Sequence, residues 1–261
     1  MFPGSQVSWA YDYAPYPNAS DNNGPYPLPS AQNNNYTLRF IPLLFNGGET
    51  AAQEWPAYVE SAIVNYNADA LFSFNEPDAA YSGLSANMAV SEALAAYKRS
   101  IQPFANRTLP SGAKLLLGSP SITNAGQGLT WLSEFLGNAS LPQYNLTVDF
   151  INIHFYASPY NFELFKEFIT SAYDLGERKL PVWVTEFGVS DEYPWHDSSV
   201  VPFIKNCTTW LDEQPWVERY AWFGAYPNNI INAGGSGLNA RGRFYANWTG
   251  GYSPGPNNAI A

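Results

Sequence analysis

The chain has 261 residues, of which 46% are hydrophobic and 16% aromatic, so it is long enough to bury a full core within one domain. Its formal net charge of −10 would repel nucleic acid and anionic membrane surfaces, and we expect neither as a partner. No apolar run approaches the ~18 residues that a membrane-spanning helix needs.

The predicted elements begin with a strand at residues 7–11. Residues 12–35 are rich in Pro, Asn and Gly, show no sustained period and predict a long loop. Strand-like and helix-like segments then alternate along the chain. Further strands are expected at residues 38–45, 70–75, 114–118, 150–156, 182–186 and 220–224, and helices at 51–66, 85–102, 129–136, 162–175 and 198–213. Residues 250–261 predict an irregular tail.

This alternation favours an α/β fold with a parallel sheet. No Gly-rich phosphate loop follows the first strand, which argues against a dinucleotide-binding fold. We therefore predict a (β/α)8 TIM barrel that forms a single domain over residues 1–261. The pattern contains seven strands where a barrel needs eight, so one strand, expected to be the first, is atypical, hidden in the first loop or missing.

Two glutamates follow apolar strands at positions where barrel strands are expected to end. Glu76 lies in the run ALFSFNEPD, and Glu186 lies in the run VWVTEFG. Reacting groups of a barrel lie at the C-terminal ends of its strands. Cleavage of a glycosidic bond needs one protonated carboxyl group and one ionised carboxylate. A single such glutamate is more often a cap or a turn residue, but the pair predicts a catalytic site.

Three polar residues accompany the pair. Asn75 precedes Glu76 and can offer its amide to a sugar hydroxyl. His154 and Tyr156 alternate along the strand in DFINIHFYA, so both are expected to point toward the barrel interior or its mouth. Either side chain can then hydrogen-bond a carboxylate or the substrate.

Two other kinds of chemistry have little support in the sequence. Two histidines and one cysteine are too few soft ligands for a zinc site, so we predict no metal and no cofactor. A serine hydrolase needs a nucleophile elbow, and the nearest string, GGSGL, lies in a Gly-rich segment that no strand precedes.

Aromatic residues are more plentiful than a core of this size requires. The chain has nine tryptophans and eighteen tyrosines, and aromatic rings are the usual platforms for the apolar faces of sugars. Trp9, Tyr11 and Trp222 are the candidates for substrate binding, because each lies on a predicted strand near an expected barrel tip. For any one tryptophan, packing in the core is the competing interpretation.

Asn-x-Ser/Thr sequons suggest where the protein works. There are seven, at Asn18, Asn35, Asn106, Asn138, Asn145, Asn206 and Asn247. This number favours a eukaryotic secretory route, and only 13% of the residues are charged, which suits a protein working among carbohydrates. We expect a secreted or cell-wall-associated monomer. Cys207 is the only cysteine, so no disulfide forms within the chain.

The runs FNEPD and VTEFG resemble those of clan A glycoside hydrolases, in which an Asn-Glu pair closes the fourth barrel strand and a Glu closes the seventh. With VSWAYDY, FIPLLF, LLGSPSI, LTWLSEFL, VDFINIHFYA and WFGAYP, the chain resembles glycoside hydrolase family 128, the β-1,3-glucanases. The resemblance implies retaining hydrolysis of β-1,3-glucan with Glu76 as general acid/base and Glu186 as nucleophile. It implies substrate or neighbouring contacts for Asn75, His154, Tyr156, Trp222, Trp9 and Tyr11.

Several alternatives stay open at this point. The same fold can carry an oligosaccharide-binding protein that captures β-1,3-glucan without cutting it, or a related enzyme that acts on another β-linked polymer. Endo cleavage is favoured over exo cleavage, and the choice depends on loops such as residues 12–35 and 191–200, whose paths the sequence does not give.

Overall fold

The computed structural model describes residues 7–17, 38–190, 196–248 and 258–260. Within these ranges the strands are β1 (Val7–Ala10), β2 (Arg39–Phe40), β3 (Ala70–Asn75), β4 (Leu116–Ser121), β5 (Ile151–Ala157), β6 (Val182–Val189), β7 (Val217–Trp222) and β8 (Asn258–Ile260). The helices are α1 (Glu49–Tyr66), α2 (Val90–Ser100), α3 (Gly128–Ala139), α4 (Phe162–Leu175), α5 (Asp197–Asp212) and α6 (Ala240–Ala246), with a short 3₁₀ helix at Gln102–Phe104. The predicted α/β class is confirmed. None of the described helices is both long and apolar enough to cross a bilayer.

The strands form two parallel sheets. One has the order β2-β1-β8-β7-β6-β5, and the other pairs β3 with β4. Isolated parallel bridges link the two sheets at both edges. Leu43 pairs with Phe72 of β3 at one edge, and Gly118 and Ile122 pair with Phe150 and Ile153 at the other. Among the described residues the two sheets do not form one continuous ladder, so (β/α)8 closure stays a prediction.

Both sheets enclose one buried aromatic cluster. Trp183 of β6 stacks on Phe150 with ring centroids 3.8 Å apart, and Phe72 of β3 meets Trp183 edge-on at 5.8 Å. The full cluster is Trp9, Tyr11, Ile41, Leu43, Ala70, Phe72, Phe150, Trp183 and Ala221. Because strands of both sheets contribute, this cluster is the inner core that fixes the strand ends relative to one another.

An ion pair lies beneath this cluster. Arg219 of β7 is buried and donates two hydrogen bonds to Asp69, which directly precedes β3, at 2.9 and 2.6 Å. The guanidinium also lies 4.1 Å from the centroid of the Trp183 ring. The forked guanidinium matches the carboxylate geometry, so this pair joins the two sheets at the N-terminal ends of their strands.

The helices pack on the outer faces of the strands through apolar stripes. In α4, Phe165, Phe168, Ile169 and Ala172 are the buried residues, and they recur every third or fourth position. This spacing places them on one face of an α-helix, which packs toward β5 and β6. The prediction of this helix from its period is confirmed at both ends.

Differences from the predicted elements have local causes. The strand expected at residues 38–45 is reduced to β2 and one bridge at Leu43, because Pro42 has no N–H to donate to a ladder. The helix expected at residues 85–102 begins only at Val90, where the Glu92 side chain accepts from the backbone of Ala89. Helix α6 was not predicted. Its N-cap is Asn239, whose side chain accepts from the Gly242 N–H at 2.9 Å.

The prediction for the C-terminal segment is wrong in part. Residues 258–260 form β8, which pairs in parallel with both β1 and β7. The eighth strand, which the sequence pattern lacked, therefore comes from the segment predicted to be an irregular tail. In the sheet β8 lies beside β1, although it is the last strand in the chain. Most of the loop expected at residues 12–35 lies outside the described residues, and residues 12–17 within it contain no strand or helix.

Candidate active site

Glu76 directly follows β3 in a constrained turn. Its backbone φ is 48°, in the left-handed region that side-chain-bearing residues rarely adopt, and such a conformation costs about 1 to 3 kcal/mol. Its N–H donates to the carbonyl of Ser121 at 2.8 Å. Two residues later, Asp78 accepts from the N–H of Thr123 at 3.1 Å and from its hydroxyl at 2.6 Å. The turn is thus tied to the end of β4, which holds Glu76 in place.

Glu186 lies within β6, opposite His154 of β5 in the parallel register. The prediction that Glu186 closes its strand is wrong, because β6 runs on to Val189. The residues after Glu186 still pair with β5, so the strand does not end there.

His154 bridges the two glutamates. Its Nδ1 lies 2.9 Å from Oε1 of Glu76 and 3.4 Å from Oε2 of Glu186. One oxygen of each glutamate and a ring nitrogen of His154 all lie within 4.8 Å of one another. The structure therefore brings together the three residues that the sequence placed on three different strands.

The three groups differ in their exposure to solvent. The side chain of Glu76 is 12% exposed, that of Glu186 is 4% exposed and that of His154 is 1% exposed. Burial alone would lower the pKa of His154, but the negative charges of Glu186 and Glu76 outweigh burial and raise it. His154 therefore keeps its positive charge between the carboxylates to a higher pH than a free histidine.

Three phenol hydroxyls surround the carboxylate of Glu186. Tyr11 donates to Oε1 at 2.7 Å, Tyr13 donates to the same oxygen at 2.6 Å, and Tyr156 donates to Oε2 at 2.5 Å. Burial, and then the charge of Glu186, raise the pKa of all three tyrosines well above the ordinary value. They therefore remain protonated donors throughout the neutral range.

Tyr156 is held rigidly by its surroundings. Its backbone N–H donates to Oδ1 of Asn124 at 2.9 Å, and its carbonyl accepts from Nδ2 of the same residue at 3.0 Å. Its ring meets Phe223 edge-on with centroids 5.5 Å apart. This residue lies at the end of β5 with little freedom to turn away from Glu186.

Asn75, the last residue of β3, has one open hydrogen-bonding position. Its Nδ2 donates to the carbonyl of Leu84 at 3.0 Å, which fixes the orientation of the amide. The oxygen Oδ1 is buried and receives no hydrogen bond from the described residues. A buried acceptor without a donor is costly, so this oxygen is an unsatisfied group beside Glu76, and its contact with a sugar stays a prediction.

The predicted aromatic residues lie deeper than a sugar platform would. Trp9 and Trp222 are each 1% exposed, and Tyr11 lies between Trp9 and the carboxylate of Glu186. The indole N–H of Trp222 donates to Oδ1 of Asn229 at 3.1 Å. In this structure neither tryptophan presents a face to solvent, and their contact with a sugar stays a prediction.

Sequence reasoning missed Tyr13 and Asp78. Tyr13 was assigned to the first loop, although alternation from Trp9 through Tyr11 would have placed it on the same side as both. Asp78 follows Glu76 by two residues and was treated only as part of a motif. Its role depends on Thr123, and no local pattern pairs those two positions.

The same cluster has the composition of a metal site. Two carboxylates and one imidazole within 4.8 Å of one another can hold a metal ion, and Glu76, His154 and Glu186 are the one such group among the described residues. Hydrogen bonds from three tyrosines already occupy both oxygens of Glu186, and His154 contacts Oε1 of Glu76. The absence of a metal from the mechanism stays a prediction.

Comparisons with solved structures support the α/β fold and the class of enzyme. An exo-β-1,3-glucanase of glycoside hydrolase family 128, subgroup III, from Blastomyces gilchristii, curdlan-specific and in complex with glucose, is 29% identical with a TM-score of 0.74, covering 95% of this chain and 92% of that one. A subgroup II endo-β-1,3-glucanase from Sorangium cellulosum is 20% identical with a TM-score of 0.73, covering 95% and 93%. A subgroup I endo-β-1,3-glucanase from Amycolatopsis mediterranei, in complex with laminaritriose, is 23% identical with a TM-score of 0.67, covering 92% and 89%.

The last two structures, because of their low identity, support the fold alone. No curated protein matches the sequence significantly. The model of the family described as glycosyl hydrolase catalytic core matches residues 1–245. The resemblance noted in the sequence is thus confirmed, and this chain belongs to the glycosyl hydrolase catalytic core family and is a glycoside hydrolase.

Proposed function

We propose that this enzyme hydrolyses β-1,3-glucan with retention of configuration at the anomeric carbon. The observation that carries the proposal is the spacing of Glu76 and Glu186, which have one oxygen each within 4.8 Å of the other. Retaining glycosidases hold their carboxyl groups about 5 to 5.5 Å apart, whereas inverting enzymes need about 6.5 to 9.5 Å to admit a water molecule. The short spacing favours direct attack by one carboxylate.

The surroundings of the two glutamates suggest their roles. Three O–H donors point at Glu186, and an ionised carboxylate, which is an acceptor at both oxygens, satisfies all of them. This favours Glu186 as the nucleophile. Glu76 is the more exposed of the two glutamates. Among the described residues its one polar side-chain contact is with His154. This arrangement suits a group that gives up and regains a proton.

The proposed reaction has two steps. Glu186 attacks the anomeric carbon while the proton of Glu76 goes to the leaving glycosidic oxygen, which departs with the bonding electrons. Water then attacks the glycosyl-enzyme as Glu76 accepts a proton, and Glu186 leaves as the carboxylate. His154 lies between the two acids and its positive charge offsets their negative charges as the proton moves.

The substrate class rests on the similar structures and on Asn75. All three similar enzymes are described as β-1,3-glucanases, and one is bound to laminaritriose. The unpartnered Oδ1 of Asn75, next to Glu76, offers an acceptor for a sugar hydroxyl beside the reacting bond. Such a contact can strengthen in the transition state and contribute to the rate.

Endo cleavage is our first proposal for the mode of action, and exo cleavage is the second. Two of the similar structures are endo enzymes. The exo candidate is favoured by the Blastomyces gilchristii enzyme, which has the highest identity of the three. The products formed early from a long linear β-1,3-glucan distinguish them, since a ladder of sizes indicates endo cleavage and a single short product indicates exo cleavage.

The decisive experiment combines products with stereochemistry. The wild-type enzyme is incubated with laminari-oligosaccharides, and proton NMR follows the anomer that forms first. A β-anomer is expected, and an initial α-anomer would refute retention. Glu186→Gln is expected to abolish the reaction, and its unchanged turnover would refute the nucleophile assignment. Tight binding of laminari-oligosaccharides without any new reducing ends would support the alternative of a non-hydrolytic binding protein.

We also propose that the two sheets close into one (β/α)8 barrel that forms a single domain. The isolated bridges at both sheet edges, the shared inner core and the pair of Arg219 with Asp69 support this closure. Single-transition unfolding in urea, followed by both fluorescence and circular dichroism, is the expected behaviour of one domain.

The setting of the enzyme is proposed to be extracellular or at the cell wall, as a monomer. The seven sequons and the low charged fraction support this proposal. We further propose that catalysis needs no metal. Overnight treatment with a chelator is expected to leave turnover unchanged, and a loss that a divalent cation restores would refute a metal-free mechanism.

A further inference from the structure

The carboxylate of Glu186 is covered in the free enzyme. Only 4% of this side chain is exposed, and both of its oxygens carry phenol hydrogen bonds. If Glu186 is the nucleophile, as proposed above, the anomeric carbon must come within about 3 to 3.5 Å of one of these oxygens. Part of the cover must therefore move when the sugar binds.

Only one of the three tyrosines has the freedom to move. Tyr11 is buried against Trp9 and Phe72, and Tyr156 is fixed on β5 by hydrogen bonds on both sides of its backbone. Tyr13, in contrast, is 40% exposed as a whole residue although its hydroxyl is buried against Glu186, and it lies outside any strand or helix. Its ring packs edge-on against Tyr11 at 5.9 Å.

We propose that Tyr13 covers Glu186 until substrate binds, and that its hydroxyl then transfers its hydrogen bond from Glu186 to a hydroxyl of the sugar beside this carboxylate. Tyr11 and Tyr156 stay on Glu186 and hold the carboxylate in position for attack. Tyr13 thus becomes a contact of the sugar that undergoes reaction. Its raised pKa keeps it a donor in both positions.

A comparison of Tyr13→Phe with Tyr11→Phe tests the proposal, because both hydroxyls donate to the same oxygen of Glu186. If Tyr13 has already left Glu186 in the substrate complex, Tyr13→Phe is expected to change kcat on laminari-oligosaccharides by less than about threefold and to act on KM. Tyr11→Phe is expected to lower kcat about tenfold or more, as for the loss of a hydrogen bond to a charged group.

An equal fall of kcat in both variants would overturn the proposal. The matched control is Tyr16→Phe, because Tyr16 lies on the same segment and packs on Tyr58, with ring centroids 5.0 Å apart. We expect it to leave kcat and KM unchanged. Glu186→Gln tests the proposed function separately, and it is expected to lose all activity. If this variant stayed active, the proposed function would be rejected, and not the movement of Tyr13.

A crystal structure of a trapped intermediate tests the movement directly and needs no variant. A fluorinated laminaribioside with a dinitrophenolate leaving group forms a bond from Glu186 to the anomeric carbon, while the bond to the phenolate oxygen breaks with its electron pair. In the trapped enzyme the Tyr13 hydroxyl is expected beyond hydrogen-bond distance of Glu186 and within it of the sugar. Retention of the present 2.6 Å contact would overturn the proposal.

A second inference concerns four of the five sequons that lie in the described ranges; Asn18 and Asn35 fall outside those ranges. Asn106, Asn145 and Asn247 lie in connections that run from a helix to the next strand, and Asn206 lies on the outside of α5. All four are exposed. In parallel α/β folds such connections lie at the end opposite the C-terminal ends of the strands, where Glu76 lies.

We infer that glycans on these four asparagines cover the outer face and the end of the fold away from the catalytic glutamates. Each Nδ2 would form a bond to the anomeric carbon of a lipid-linked oligosaccharide. The bond to the lipid diphosphate breaks, the diphosphate leaves with the electron pair, and the amide loses a proton. Glycans at these four positions then leave polymer access to Glu76 and Glu186 open.

The full chain, secreted from a eukaryotic host behind a cleavable leader, tests this inference. Enzymatic removal of the glycans in heavy-oxygen water converts each modified asparagine to a labelled aspartate that mass spectrometry locates. At least three of Asn106, Asn145, Asn206 and Asn247 are expected to carry label. Fewer than three, or a gain in activity on long glucan after deglycosylation, would overturn the inference.

Gly83→Asn provides a matched control on the catalytic side. It creates a sequon at positions 83–85, in the loop after Glu76, at a site where φ is +73° and an added side chain meets nothing within 4 Å. The glycosylated variant is expected to lose activity on long glucan, and the same variant made in a bacterial host is expected to retain it. Equal activity of both forms would show that glycan position does not matter and would overturn the inference.

Discussion

Replacing Glu76 with glutamine removes the proposed proton donor while leaving its surroundings intact. The amide oxygen can still meet Nδ1 of His154, which lies 2.9 Å from Oε1 of the carboxylate. Asp78 is the nearest other carboxyl group in the turn, but its oxygens are occupied by the N–H and hydroxyl of Thr123, so it cannot replace the lost proton.

The expected loss follows from this absence of a substitute. General acid/base catalysis contributes about 10²- to 10⁴-fold, so kcat on a long β-1,3-glucan should fall by that factor. At 1.36 kcal/mol per tenfold, this corresponds to about 2.7 to 5.4 kcal/mol of transition-state stabilisation. The fold is expected to be unchanged, because glutamine has the shape of glutamate and the backbone hydrogen bond to Ser121 remains.

The assay compares two leaving groups. Dinitrophenyl β-laminaribioside needs no proton on its leaving oxygen. The first step in Glu76→Gln should therefore stay close to the wild-type rate with this substrate. The glycosyl-enzyme then accumulates because the second step lacks its base. Azide can enter the site, where Glu76 is partly exposed, and should restore turnover by forming the β-glycosyl azide.

Two results would refute this reasoning. Equal losses on glucan and on the dinitrophenyl substrate would show that Glu76 is not the general acid, and an α-glycosyl azide would show inversion. Glu134→Gln is the control, because Glu134 is an exposed residue of α3 that, within the described part of the chain, makes no hydrogen bond or ion pair with Glu76, Glu186 or His154. It should match the wild type on both substrates.

Three further predictions concern stability. The pKa of His154 is raised in the folded protein by Glu186 and Glu76, so its charge contributes stability that is fully present below about pH 6.5 and is lost as the pH rises through the raised value. The difference in Tm between wild type and His154→Gln should therefore shrink between pH 6 and pH 9, and a constant difference would contradict the assignment. Asp69→Asn leaves the buried Arg219 without its partner and should cost about 3 to 5 kcal/mol in urea unfolding, against less than about 1 kcal/mol for Asp174→Asn in an exposed pair. Removal of residues 249–261 takes away β8 and should lower the urea midpoint, whereas an unchanged midpoint would show that β8 does not support the sheet.

Some elements could be predicted from the sequence because local composition and packing agree. The strand at residues 70–75 has six buried residues and matches its prediction at both ends, as does α4 with its regular apolar stripe. In each case the hydrophobic pattern needs no distant partner to be interpreted. Neither contains a Gly or Pro that would interrupt the element.

The eighth strand could not be predicted for the opposite reason. Residues 258–260 have no apolar alternation of useful length and follow a stretch rich in Gly, Pro and Asn. They form a strand because β1 and β7 leave a parallel position between them, and both ladders are occupied by this segment. Pairing partners so distant along the chain leave no local signal.

The composition of the site was more predictable than its geometry. Strand position identified Glu76, and the position of Glu186 was useful even though β6 continues past it. Alternation placed His154 and Tyr156 on the same side of β5, and both contact the carboxylates. Tyr13 was missed because the Pro- and Asn-rich residues that follow it masked the last step of the alternation from Trp9.

The two catalytic candidates are chemically the same residue, so the sequence alone cannot separate their roles except through a family resemblance. Their surroundings separate them. Glu186 receives hydrogen bonds from phenols on two segments, and such donors match an anion. Glu76 is more exposed, and its contact is with the imidazole of His154. A neutral glutamine at position 186 could not accept at both ends of its amide, because its NH₂ group would face a hydroxyl donor. The same substitution at position 76 keeps its contact with His154, so Glu186→Gln should disturb the ordered hydrogen bonds of the site more than Glu76→Gln does.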